Sequence, residues 1–215
     1  MKFEKGIAKE YRGSVEDALE TIAVRGNNSH RMVAEHILGS EMLVCVKPVS
    51  KVKASGITGL IDRSTTNESI AEGALSLREA LGQVYITIAE ETIDNGGRRG
   101  CEGTFVHEGR HAYDFARVIE SLSRAGTNPL SLFDPTLFEL EWDAHRTSAE
   151  YMLCINKDEY LEEGLQLMIL GRENENGIYF VDEDGIARRL RQSYGLERGR
   201  NEGPLVSELL GLKYD

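Results

Sequence analysis

The sequence predicts an α+β fold, and three observations carry that reading. Val84, Ile86 and Ile88 alternate with Tyr85, Thr87 and Ala89, the two-residue period of a strand. Apolar residues recur at helical spacing over roughly 104–123 and 135–154. No repeat, low-complexity tract or linker-length loop divides the 215 residues, so one domain spans 1–215.

Along the chain, 14–24 and 29–42 read as helices. The second opens on the capping residues of "NNSHRMVAEHIL". "EMLVCVKPVSKV" (41–52) reads as a strand broken or bent at Pro48, and "ASGITGLIDRS" as a second, glycine-interrupted strand. "DRSTTNESIAEG" (62–73) is polar and loop-like. The strand of 84–89 follows, then "DNGGRRGCEG" (94–103) as a glycine-rich connection. Helices are expected over 104–123, from about Pro135 to Cys154, over 157–170 and over 184–195. "ENENGIYFVDEDGIA" suggests a small hairpin between the last two. The organisation is thus a core at 83–155, helices and strands at 1–82, and a helical part at 156–215.

Composition narrows the function. A net charge of −11 argues against nucleic acid and against an anionic membrane surface, both of which need a cationic face. No signal peptide or membrane span is visible, and Cys45, Cys101 and Cys154 are widely spaced. The reading is reduced thiols in a cytoplasmic protein, or in an effector exported without a signal peptide.

The chemistry is concentrated in "TFVHEGRHAYDF" (104–115). Residues four apart share a helix face, so His107 and His111 can offer two imidazole nitrogens to one Zn²⁺. Glu108 lies about 100° further round, where it can reach a metal-bound water and take its proton. The plain alternative is a solvated helix face with two histidines. A catalytic zinc site needs a third protein ligand. "FELEWDAHRTSAEYML" (138–153) offers Glu139, Glu141, Asp143 and His145, and spacing alone does not choose between Glu139 and Glu141.

"EWDAHRTSAEYML" resembles the second signature of gluzincin-type HExxH zinc metallopeptidases, members of the zincin group. It is closest to ImmA/IrrE-like peptidase domains, with Glu141, Ala144, His145, Ala149, Glu150, Met152 and Leu153 in register. "HAYDF" is similar to the peptidase domains of polymorphic toxins and injected effectors. The resemblance covers 104–153 and, more loosely, 83–89. It implies a minimal zincin fold: a small mixed or antiparallel sheet on an active-site helix, followed by a helical C-terminal half. It further implies Glu141 as third zinc ligand and His145 as the partner that orients a metal-bound histidine. It also makes 83–89 the sheet edge above the histidines. Between Glu108 and His111 the family has an apolar residue and then glycine, whereas this chain has Gly109 and Arg110.

The expected activity is zinc-dependent endopeptidase cleavage of a protein or peptide, with Glu108 as general base. Substrate would pair as an added strand with Gln83–Ala89. Tyr194 or Tyr151 would donate to the oxyanion. The alternative is a catalytically silent protein of the same fold that recognises a partner. Other features carry less. His30 and His36 read as surface or core-edge residues, "DEDG" (182–185) as a turn, and "ARRLRQ" as a solvated helix face. A Cys101 thiol reaching the zinc is the less favoured of two readings, the other being burial.

Overall fold

The computed structural model describes residues 1–126, 130, 132–155, 169–173 and 178–213. Its elements in chain order are β1 (Lys2–Phe3), α1 (Lys9–Arg25), α2 (Asn28–Leu38), β2 (Leu43–Lys47), α3 (Val49–Val52), β3 (Gly56–Leu60), α4 (Arg63–Glu72), α5 (Leu77–Leu81), β4 (Val84–Ala89), α6 (Glu90–Ser123), α7 (Leu137–Cys154), β5 (Leu170–Glu173), β6 (Ile178–Val181), α8 (Glu183–Tyr194) and α9 (Val206–Leu210). The architecture is α+β, with a mixed four-stranded sheet, a separate β5–β6 hairpin and a majority of helix.

The alternating segment forms β4, but not at an edge. The sheet order is β1-β2-β4-β3, with β1, β2 and β4 parallel and β3 antiparallel to β4. Both sides of β4 are therefore already hydrogen-bonded, and the expectation that 83–89 is the edge above the histidines is wrong. The edge strand on that side is β3. Both faces of β4 are covered as well: Val84, Ile86, Thr87, Ile88 and Ala89 are all buried.

Two segments expected as loop or connection are helical. Residues 63–72 form α4, capped by Asp62, whose side chain accepts from the Thr65 amide at 2.7 Å. Residues 94–103 continue α6, which runs unbroken for 34 residues despite its glycines. Each interior glycine disfavours helix by about 1 kcal/mol relative to alanine, but packing overrides that preference here. Asp94 and Asn95 are exposed, but Cys101 and Glu102 at the end of the connection and Phe105 and Val106 just beyond it are buried, so that end packs against its neighbours as part of one helix. The strand at 41–52 ends at Lys47, and Pro48 then caps the single turn of α3.

The remaining helices fall close to expectation. α7 starts at Leu137 behind a capping box in which Thr136 and Glu139 exchange hydrogen bonds. "DEDG" opens α8 rather than forming a turn, with Asp182 accepting from the Gly185 amide at 2.9 Å. The hairpin predicted near 173–187 lies slightly earlier, at 170–181. The helix expected over 157–170 falls largely outside the described residues. One apolar core joins Val15 and Leu19 of α1, Ile86 and Ile88 of β4, Phe115 and Ile119 of α6 and Leu212 near the C-terminus. Among the described residues no helix is long and apolar enough to cross a membrane.

Candidate metal centre

The site is built where α6 and α7 pack together beneath β3. On α7 the buried stripe includes Phe138, Glu141, Ala144, His145, Ser148 and Met152, at the three- and four-residue spacing of one helix face. Glu141 and His145 therefore point inward by the periodicity that buries Phe138 and Met152. On α6, His107 and His111 turn toward them, one helical turn apart.

The three donors converge. His107 Nε2 and His111 Nε2 are 3.1 Å apart; His107 Nε2 lies 3.8 Å from Glu141 Oε2, and His111 Nε2 lies 3.6 Å from Glu141 Oε1. Tetrahedral ligands bonded to zinc at 2.0–2.1 Å sit about 3.3–3.4 Å from one another. The observed separations bracket that figure, so His107, His111 and Glu141 form a group that could hold a metal ion.

The electrostatics fit the same group. Burial pushes the His107 imidazole down to about 4, helped by the Arg189 charge, and burial with the neighbouring His107 also holds His111 well below its ordinary value. Both rings are therefore neutral near pH 7, the form that binds metal. Burial, with repulsion from Glu108, raises the Glu141 carboxyl to about 7, and the Tyr194 hydroxyl partly offsets this. Among the described residues, His111 Nδ1 and Glu141 Oε2 are buried and make no hydrogen bond. An unsatisfied buried polar atom costs about 1–3 kcal/mol, more when charged. A cation between the three donors would satisfy the carboxylate oxygen.

Glu108 lies beside this group in a cleft of about 240 Å³ that also includes Gly56, Thr58, Tyr194 and Leu209. The Thr58 hydroxyl on β3 lies 2.6 Å from Glu108 Oε2 and 3.1 Å from the Glu108 carbonyl. Burial raises the Glu108 carboxyl to about 7, against the lowering effect of Thr58.

The other candidate residues separate. His145 sits against His107, ring centroids 4.8 Å apart, and its Nε2 accepts from Arg189 Nε at 3.3 Å. The two rings are thus in contact. Tyr194 is on the cleft and within 6.3 Å of the His145 ring. Tyr151 is fully buried and donates to Glu102 Oε2 at 2.9 Å, so it is a packed core tyrosine and not an oxyanion donor. Glu139 is spent on the α7 cap, and Asp143 pairs with Arg110 at 2.9 Å. Cys101 is buried toward α1, its Sγ 3.9 Å from the Ser14 carbonyl, with the thiol pushed up to about 12. It plays no part in the group. His30 is also buried, contrary to its reading as a surface or core-edge residue.

Two residues near the site are invisible in the sequence pattern. Thr58 is 50 positions from its partner Glu108. Arg189 belongs to the run "ARRLRQ", expected as a solvated face; yet its guanidinium turns to His145 and its charge is felt at His107 and Glu141. No protein-family model, curated protein or solved structure matches this chain.

Proposed function

We propose that the protein is a zinc-dependent endopeptidase of the HExxH type. The observation that carries the reading is the convergence of three neutral or anionic donors from α6 and α7, with a fourth carboxylate, Glu108, on the same cleft. Two imidazoles and one carboxylate suit Zn²⁺, and a bound zinc supplies Lewis acidity, lowering the pKa of water from 15.7 to about 7.

The chain's own groups supply the rest. Glu108 takes a proton from the attacking water and returns it to the leaving amine. Its burial in the cleft keeps that proton exchange between the carboxyl and the reacting groups rather than with bulk water. Thr58 holds one carboxylate oxygen in place. Tyr194, pushed up to about 12 by burial and the Glu141 charge, stays protonated and can donate to a developing oxyanion. β3, the strand at the sheet edge beside the cleft, offers backbone groups to an extended peptide. A silent binding scaffold has no need of a buried base clamped beside the donors, which is why catalysis is the preferred reading.

The test is zinc content of the purified protein and its variants. The parent should hold about one zinc per chain, with His107→Ala and Glu141→Ala losing it. Glu139→Ala should keep it, because Glu139 only caps α7. Glu108→Gln should keep zinc and abolish cleavage of an unfolded protein substrate. A parent without stoichiometric zinc overturns the proposal.

A further inference from the structure

Three ligands on two helices converge only if the helices hold one axial register. Apolar packing between α6 and α7 favours contact, but apolar contact is not directional. A directional constraint lies next to the donors. Arg110, one residue before His111, donates from Nε to Asp114 Oδ2 at 2.6 Å and from Nη2 to Asp143 Oδ2 at 2.9 Å. Asp143 stands two residues after Glu141. Arg117 adds a weaker contact to Asp114, at 3.5 Å. The Arg110 side chain is mostly buried, at 15% exposed; that of Asp114 is 2% exposed and that of Asp143 46%.

We infer that Arg110 is a positioning residue for the metal centre, its fork between Asp114 and Asp143 fixing α7 against α6 so that Glu141 meets His107 and His111. The inference rests on the metal-binding reading above. The planar guanidinium accepts partners only in fixed directions, so one side chain ties an anchor on its own helix to a point on the next. The tie and the ligand contact are close neighbours. Arg110 to Asp143 and His111 to Glu141 link the same two helices one residue apart on α6 and two residues apart on α7, rises of about 1.5 and 3 Å. A slide of α7 that moved Glu141 off the imidazoles would also break the fork. Gly109, meanwhile, admits α2: a Cβ there would lie 3.2 Å from Ile37 Cδ1.

Arg110 itself is a poor residue to remove, because Asp114 would be left buried without its main partner. Asp143→Ala cuts only the arm between the helices, leaves Arg110 on Asp114, and puts a strong helix former inside α7. The experiment measures zinc affinity by competition with a chromophoric chelator, with thermal unfolding of the metal-free protein recorded beside it. Asp143→Ala should bind zinc roughly tenfold more weakly, the lower end of what loss of a supporting contact costs. Its metal-free melting temperature should stay close to that of the parent. Asp143→Asn, which keeps an acceptor oxygen, should recover part of the affinity. Val15→Ala, a cavity in the core at α1, should lower the melting temperature without changing zinc affinity.

Parent-like zinc affinity in Asp143→Ala overturns the inference while leaving the proposed function intact. Equal loss of affinity in Val15→Ala also overturns it, because the effect would then be general loosening. A parent that binds no zinc overturns both.

Discussion

Glu108 shows how much of the site depends on single side-chain contacts. Its carboxylate is held by Thr58, and Thr58 can reach it only because β3 passes close over α6. Gly56 permits that approach. A Cβ at this position would lie 2.5 Å from Thr104 Cγ2 and 2.9 Å from Glu108 Cγ, closer than real contacts allow. Gly56→Ala should therefore push β3 away from α6, costing about 1–3 kcal/mol of stability through overpacking. Urea unfolding would measure this, and an unchanged midpoint would mean that Thr104 and Glu108 move aside freely. At this scale the sequence is partly legible. His107, Glu108 and His111 declare themselves because four-residue spacing is a property of one helix. Glu141 does not, because nothing in its own spacing separates it from Glu139; a family resemblance was needed to favour it. Thr58 and Arg189 could not be found at all, since their partners come from distant parts of the chain.

Elements reveal a different boundary between what sequence states and what tertiary structure decides. The alternation of 84–89 names a strand but not its neighbours, so β4 could be read as an edge when β3 in fact covers that side. The glycines of 94–103 are a local argument against helix, outweighed by burial of Cys101 and Phe105. The start of α2 makes a similar point with a measurable consequence. His30 occupies the third position of that helix; its Nδ1 accepts from the Asn27 amide at 3.0 Å, and its Nε2 donates to the Thr147 carbonyl at 2.9 Å. Only the neutral ring can do both. Burial lowers the His30 pKa below its ordinary value of 6.5, despite the opposing hydrogen bond to Thr147. The unfolded chain therefore takes up this proton more readily than the folded one. The contribution of His30 to stability is full above about pH 6.5 and declines as pH falls below it. Urea midpoints of the parent at pH 7.5 and 5.5 should differ by more than those of His30→Gln, which has no ring to titrate. Equal differences would remove His30 as the source.

On the scale of the whole molecule, the donor group sits where α6, α7 and β3 meet, beside the Arg110–Asp143 and Thr58–Glu108 contacts that already tie those elements. α6 runs through the centre and buries apolar residues around it, α7 brings Glu141, and β3 closes the cleft from above. The C-terminal segment is tied down beside it: Ser207 bonds Asp134 through its amide at 2.9 Å and its hydroxyl at 2.6 Å, and the Lys213 amide donates to Asn67 at 2.8 Å. Leu209 thereby reaches the cleft wall. The apolar core and these ties are made by groups other than the three donors, so the fold should not depend on zinc in the way a zinc finger does; zinc should act as a ligand of an already folded protein. The stabilisation then follows mass action and reaches about 2.7 kcal/mol at a free zinc concentration one hundred times Kd. For a chain of this size, each kcal/mol raises the melting temperature by roughly 2–4 °C, so a rise of about 5–10 °C is expected. The rise should grow with the logarithm of zinc concentration and vanish in His107→Ala. Two histidines sharing a helix face by accident would give no such dependence. A metal-free protein that is wholly unfolded would show instead that the metal completes the core.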